Sequence, residues 1–384
     1  MTRARIALAA TASLGAALAA CQILAGIHDE DGADRPVDAA LASDVVSPTA
    51  DAGVDARIAC RILDASPAPA APAGDPTAPT TVFALRSISF APIGGIDLDC
   101  RDTRDGGDAP CRGSPDDGEG GADQAYNVAL ADQVGGGGTG DPTGDHFTSQ
   151  FQLGGETVLI SVADLTLPFP TDATGLHVGI IGSYRLKSVD CAGPLSVVDA
   201  GTEGGTPKWD GCDEWWQVHD LKTYVTTNAF LSGGTLYATF EDPVRIDLNE
   251  MTVTIQHLFL TATFVTNPGA GADGGTLYAL QRGVLAGRMT PEDATLATLN
   301  YHTSLKPPLC QQLQALPVQL RDAVCTRRDL PLSGSGAPDE TCETVSIALP
   351  FEAVSALSHG AEMGYLFDND AGCPAFDASC PPPP

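Results

Sequence analysis

The chain has 384 residues, with 49 Asp and Glu against 20 Lys and Arg, for a formal charge of −29. That sign excludes nucleic acid and anionic membrane surfaces as partners, since both require positive patches. Eleven cysteines are an awkward number for an exported protein. The N-terminus accounts for the odd one.

Arg3 and Arg5 supply a positive leader, an apolar run follows from Ile6 to Ala20, and "LAAC" closes it at Cys21. A run this long suits a signal-peptide core and is short for a spanning helix. Residues 1–20 therefore read as a signal peptide. Small residues before a cysteine are similar to the bacterial lipobox, in which the thiol is acylated and Cys21 becomes the new N-terminus. Several acyl chains on one residue anchor stably where one would not. The alternative is an ordinary secretory signal beside a coincidental cysteine. Gln22, standing where an Asp would retain a lipoprotein at the inner membrane, favours the outer membrane or cell surface by the same similarity. Loss of the leader with its two arginines takes the charge from −29 to −31.

With Cys21 assigned to lipid, ten cysteines remain, an even set that an oxidising compartment would convert to as many as five disulfides. Short spacing suggests Cys100–Cys111, Cys191–Cys212 and Cys373–Cys380, with Cys60, Cys310, Cys325 and Cys342 left open. No C-x-x-C pair occurs, so a structural metal site built on thiolates is disfavoured.

Residues 21–81 form loose Ala, Asp and Pro alternations with few large apolar side chains. Such a segment has little to bury against chain entropy and reads as a disordered acidic tether. From 82 to 371 the pattern changes. "VFALRSISF", "GGETVLISVADLTL" and "LHVGIIGSYRL" read as strands, and 235–265 alternates with period two. Its phase slips at Gln256–His257, which predicts a bulge or tight turn. "GGTLYA" occurs at 233–238 and at 274–279, and Gly-Gly before a strand is turn chemistry.

Helices are expected to be short. Residues 123–134 form one, stopped by glycines 135–138. Thr290 caps another that has Pro291 at its first position. Leu309–Leu316 and Pro317–Cys325 read as two pieces broken at Pro317, and Glu352–Ser358 reads as a last one. The expected fold is mainly β, a single β-sandwich-like domain with a few short helices. Residues 372–384 form an extended, proline-rich C-terminal tail.

No G-x-S-x-G, H-E-x-x-H or Walker pattern is present, which favours a non-enzyme. The adjacent pairs Asp145-His146 and His219-Asp220 make no dyad, because strand neighbours point to opposite faces. The loop 97–123 is rich in carboxylates, including Asp97, Asp99, Asp102, Asp105 and Asp108. Calcium favours such oxygen-rich cages, although Asp102 stands where the helix-loop-helix calcium pattern needs glycine. No cofactor is required by any motif.

All three tryptophans lie in "PKWDGCDEWWQVHD", residues 207–220. Trp209, Trp215 and Trp216 stand among Asp210, Asp213 and Glu214. On a strand, Trp215 and Trp216 point to opposite faces, so either one is exposed or both are covered. An exposed ring flanked by carboxylates would suit a sugar, its face on the C–H surface and the acids on the hydroxyls. Burial in the core is the competing reading.

In order along the chain stand the lipobox, the Ala/Asp/Pro segment with Cys60, "GIDLDC", "DDGEGGADQAYN", "WDGCDEWW", "GVLAGRMT" and the late cysteines Cys310, Cys325 and Cys342. This series resembles a group of uncharacterised lipoproteins of myxobacterial type and covers nearly the whole chain. The resemblance implies lipid anchoring and one cysteine-stapled domain. It brings no activity and no catalytic residue.

These readings converge on an exported, lipid-anchored envelope protein, held to the membrane through Cys21, with a binding or surface-structural role and polysaccharide as the expected ligand class. The alternatives are a glycan-active hydrolase on the same scaffold, or an envelope spacer without a ligand.

Overall fold

The computed structural model describes residues 80–92, 95–98, 111, 123–134, 141–152, 154, 156–165, 169–190, 213–219, 223–248, 251–268, 276–301, 311, 316–332, 340–362 and 377–381. Of the signal and tether assigned to residues 1–81, residues 1–79 lie outside them, and Thr80 and Thr81 already belong to the first strand. The chain is mainly β. Its strands are β1 (Thr80–Ile88), β2 (Thr157–Ala163), β3 (Ala173–Thr174), β4 (His177–Asp190), β5 (Asp213–His219) and β6 (Tyr224–Thr226). They continue with β7 (Ala229–Ser232), β8 (Thr235–Thr239), β9 (Val244–Asp247), β10 (Thr252–Pro268), β11 (Thr276–Met289) and β12 (Val345–Glu362). Four helices are described: α1 (Ala125–Val134), α2 (Pro142–Gln152), α3 (Pro291–Asn300) and α4 (Leu316–Cys325).

The strands run in the order β1-β2-β4-β5-β12-β11-β10-β8-β7-β3. β1 also pairs with β12, so β1, β2, β4, β5 and β12 close a ring and the sheet curls on itself. Among the described pairings only β5 with β12 is parallel. β9 pairs with the first part of β10 as a separate hairpin, while the second part of β10 joins β8 and β11. This gives the curled, sandwich-like packing that the alternating pattern predicts.

One strand makes the change of sheet through a bulge. Val253 and Ile255 face the core before it, and Leu258, Leu260 and Ala262 face the core after it. Between them the register slips from Gln256 to Phe259, and His257 adopts φ 48°. The extra residue restores the inward phase and turns the strand. Gly287 on β11 lies beneath this kink, where a Cβ would stand 2.5 Å from Ile255 Cγ2 and 2.8 Å from the Gln256 carbonyl oxygen. Gly233 and Gly234, at φ 56° and 79°, make the tight turn between β7 and β8.

The main core gathers inward residues from the sheet, including Phe83, Ile160, Ile180, Leu260 and Leu349, with one face of each helix. Each such large side chain, fully buried, contributes roughly 1.5–3 kcal/mol from water exclusion alone. A smaller cluster lies on the opposite side of β8, β10, β11 and β12, where Ile96, Leu98 and Leu330 cover Tyr237, Phe259, Val284, Ala286 and Ala348. One buried amide beside this layer uses all its hydrogen-bonding groups. Asn127 donates to the Phe90 and Ala348 carbonyls and accepts from the Ala348 N–H.

Several expectations need correction. Glu352–Ser358 is not a helix: it is the middle of β12, with Glu352 opposite Ser87 and Ala356 opposite Val82 of β1. Its Glu, Ala and Leu favour helix only weakly, and hydrogen bonding on both edges of the strand prevails. The piece expected at Pro317–Cys325 is α4, while residues 309, 310 and 312–315 of the piece before it lie outside the described residues. Pro317 occupies the first turn of α4, where its missing N–H costs nothing. Helix α2 went unpredicted. Its N-cap is Asp141, whose Oδ1 accepts from Gly144 N–H at 2.9 Å and whose Oδ2 accepts from Ser89 Oγ and the N–H groups of Phe90 and Ala91. Helix α3 is as expected, with Thr290 Oγ1 accepting from Asp293 N–H at 3.0 Å.

The disulfides also differ from the expected local pairs. Cys111 joins Cys342, 231 residues away, and Cys325 joins Cys380 across 55 residues. Cys100 is therefore not the partner of Cys111, nor Cys373 that of Cys380. Cys111 is held beside the Asp329 carbonyl, 3.2 Å from its Sγ, which brings it to Cys342. Cys100, Cys191, Cys212 and Cys373 lie outside the described residues. Of the expected tail at 372–384 only residues 377–381 are described; Cys380 ties them to the end of α4, and Ala378 is buried.

Candidate functional site

The tryptophan stretch forms a strand, as supposed. Trp215 registers with Leu357 of β12 on one edge and Ser188 of β4 on the other, and Trp216 with Ser358 and Leu186. Glu214 and Asp213 register with Val189 and Asp190. β5 is thus an interior strand of the closed ring, hydrogen-bonded on both edges. Only the backbone of these strand residues is described, and Trp209 and Asp210 lie outside the described residues.

The acidic loop is described at its two ends. Ile96 bridges to Asp123, and the Leu98 N–H donates to Asp123 Oδ2 at 2.6 Å. Asp97 is buried at 8% exposure and already engaged with neighbours. Asp99, Asp102, Asp105 and Asp108 lie outside the described residues. Among the described residues no group of three or more His, Cys, Asp or Glu side chains comes together.

The His–Asp contact the fold does make was not legible as an adjacent pair. His177 Nδ1 meets Asp164 Oδ2 at 2.6 Å across the β2–β4 register, thirteen residues apart, with Asp164 held at φ 65°. His146 instead packs edge-on against the rings of Phe147 and Tyr301. Burial raises the Glu352 carboxyl above its usual range.

A cleft appears where the β9–β10 hairpin lies over β2, β4 and β6. Val158, Ile180, Gly182 and Ile246 line its apolar part, and Tyr224, Arg245 and Asp247 complete the lining. Its volume is about 180 Å³. Two-residue spacing puts Arg245 and Asp247 on the same face of β9, while Val244 and Ile246, which alternate with them, enter the core. Arg245 Nε and Nη2 both donate to Asp247 Oδ1, at 3.1 and 3.0 Å, and Thr252 Oγ1 donates to the same oxygen at 2.5 Å.

That single oxygen takes all three bonds. Among the described residues no donor reaches Asp247 Oδ2, and Nη1 of Arg245 donates to no acceptor. The Arg245 side chain is 48% exposed, so the ion pair itself contributes at most about 1 kcal/mol to stability. Its chemical consequence is positional, because a fixed acceptor and a fixed donor stand side by side at the edge of an apolar hollow. Sequence reasoning missed this site. Arg245 and Asp247 lie within the alternating run, but Tyr224 and the floor come from strands remote in the chain.

No family model, no curated protein and no solved structure matches this chain.

Proposed function

We propose that the protein is exported, anchored to the envelope by lipid on Cys21, and binds extracellular glycan through its cross-linked β domain. The observation that carries the proposal is the pair of cystines, Cys111–Cys342 and Cys325–Cys380, behind an N-terminus that ends in "LAAC". Such cross-links persist in oxidising compartments outside the cytosol, and a lipobox cysteine needs export to be acylated. The segment 21–81 would act as the tether. Glycan is the ligand class because Trp209, Trp215 and Trp216 stand among Asp210, Asp213 and Glu214, and because the charge of −29 disfavours anionic polymers.

A glycan-active hydrolase on the same scaffold is the second reading, and it would need a carboxyl raised to act as general acid. Such chemistry requires a second carboxyl across the bond, roughly 5–10 Å away. Calcium would belong to the loop carrying Asp97, Asp99, Asp102, Asp105 and Asp108. Among the described residues Asp97 is buried and has a partner already.

Two experiments test the proposal. Cys21→Ala should move the protein from the membrane to the soluble fraction, and retention in the membrane would remove the anchor. The wild-type protein should be retained on insoluble polysaccharide, and passage through every matrix without retention would remove the glycan reading.

A further inference from the structure

We propose that the cleft between the β9–β10 hairpin and strands β2, β4 and β6 is a subsite for one neutral sugar ring, gripped by two neighbouring hydroxyls. This inference rests on the glycan-binding reading and gives it a place and a ligand class.

Volume sets the size of the occupant. About 180 Å³ is close to the roughly 150 Å³ cavity that accommodates a benzene ring, and it falls below the roughly 300–1,000 Å³ of sites that take larger organic ligands. One six-membered ring fits. Chemistry sets its character. The floor is apolar but buried, since Val158, Ile180 and Ile246 are each 1% exposed, so the Tyr224 ring beside it is the surface that suits the C–H face of a sugar.

The rim sets its polar pattern. Asp247 Oδ2 is an acceptor and Arg245 Nη1 a donor, both left over from the interactions that hold the pair rigid. A hydroxyl is both donor and acceptor. Two hydroxyls on adjacent carbons can therefore give a proton to Oδ2 and take one from Nη1. A ring without hydroxyls would strip water from the carboxylate and return nothing. An anionic ligand would have to oppose Asp247, which already neutralises Arg245, and the strongly acidic chain as a whole. Gly182 keeps the floor open on the β4 side.

The test uses the full oxidised chain and free monosaccharides: glucose, galactose, mannose and glucuronic acid, followed by ligand-observed saturation-transfer NMR. A neutral hexose should bind with Kd on the order of 1 mM, as expected for so small a ligand. Asp247→Asn should weaken it about tenfold or more, since a charged acceptor is lost. Because Asp247 also holds Arg245 and Thr252, a second variant guards against misfolding. Gly182→Val fills the cleft without touching the ion pair, and it should abolish binding while the circular dichroism melt is retained. Retention of hexose binding by the variants Trp215→Ala and Trp216→Ala would place the subsite in the cleft. Hexose binding unchanged in Gly182→Val and Asp247→Asn would overturn the cleft while leaving the glycan reading intact. A preference for glucuronic acid would overturn the neutral assignment. Failure of the wild type to bind any sugar or polysaccharide would overturn both.

Discussion

Replacing Cys111 and Cys342 together by alanine removes the link between segments 231 residues apart. In the chain-entropy description, closing a loop of that size restrains the unfolded chain by about 5 kcal/mol, against about 4 kcal/mol for the 55-residue separation of Cys325 and Cys380. Cystines elsewhere shorten the effective loop, which brings the expected loss to roughly 3–5 kcal/mol. The side-chain contribution is small, because alanine retains the Cβ and loses only a sulfur beside the Asp329 carbonyl. For a domain of this size the melting temperature should fall by about 10 °C. Thermal denaturation of the oxidised double variants, followed by circular dichroism, measures both losses. A melt within about 2 °C of wild type, or a larger loss on removing Cys325–Cys380, would refute the reasoning.

Asp141 collects four donors from Ser89, Phe90, Ala91 and Gly144, so Asp141→Ala should destabilise by at least about 2 kcal/mol in urea unfolding. Burial pushes the Tyr126 hydroxyl up to about 12 from 10.0. The neutral phenol is thus favoured by folding. Its contribution, on the order of 2–3 kcal/mol, is complete below pH 10 and is lost as pH rises toward 12. Phenolate absorbance should show one tyrosine ionising only as the protein unfolds in alkali, and Tyr126→Phe should flatten the stability profile across that window. Gly287→Ala puts a methyl against the Ile255 and Gln256 kink, so it should cost about 1–3 kcal/mol in the same urea assay, whereas Gly233→Ala, with no atom within 4 Å, should cost only its backbone strain.

Local order was legible where one period governs a segment. The slip at Gln256–His257 could be read because apolar residues change phase there, and the bulge is simply that change made in space. Thr290 and Pro291 announced α3 because capping depends on residues four apart or fewer. Pairing between distant segments had no such signature. Glu352–Ser358 is composed of residues that tolerate a helix, and only the edges of β1 and β11 decide otherwise. Short cysteine spacing suggested local staples, but Cys111 meets Cys342 from 231 residues away, a pairing that spacing alone does not encode. Asp141-Pro142 was a capping signal in plain view, obscured by the Gly, Thr and Ser that make α2 a poor intrinsic helix. The cleft needed four strands, β2, β4, β6 and β9, brought together by a curled sheet. The paired spacing of Arg245 and Asp247 was visible, but their neighbours Tyr224 and Val158 were not.

If the protein binds glycan as proposed, its tryptophans report on it directly. All three lie between residues 209 and 216, so intrinsic fluorescence reads one place in the chain. We predict red, acrylamide-quenchable emission from the oxidised protein, shifting blue and losing quenching as a recognised polysaccharide is added. Blue emission that acrylamide cannot reach, unchanged by every polysaccharide titrated, would contradict the claim.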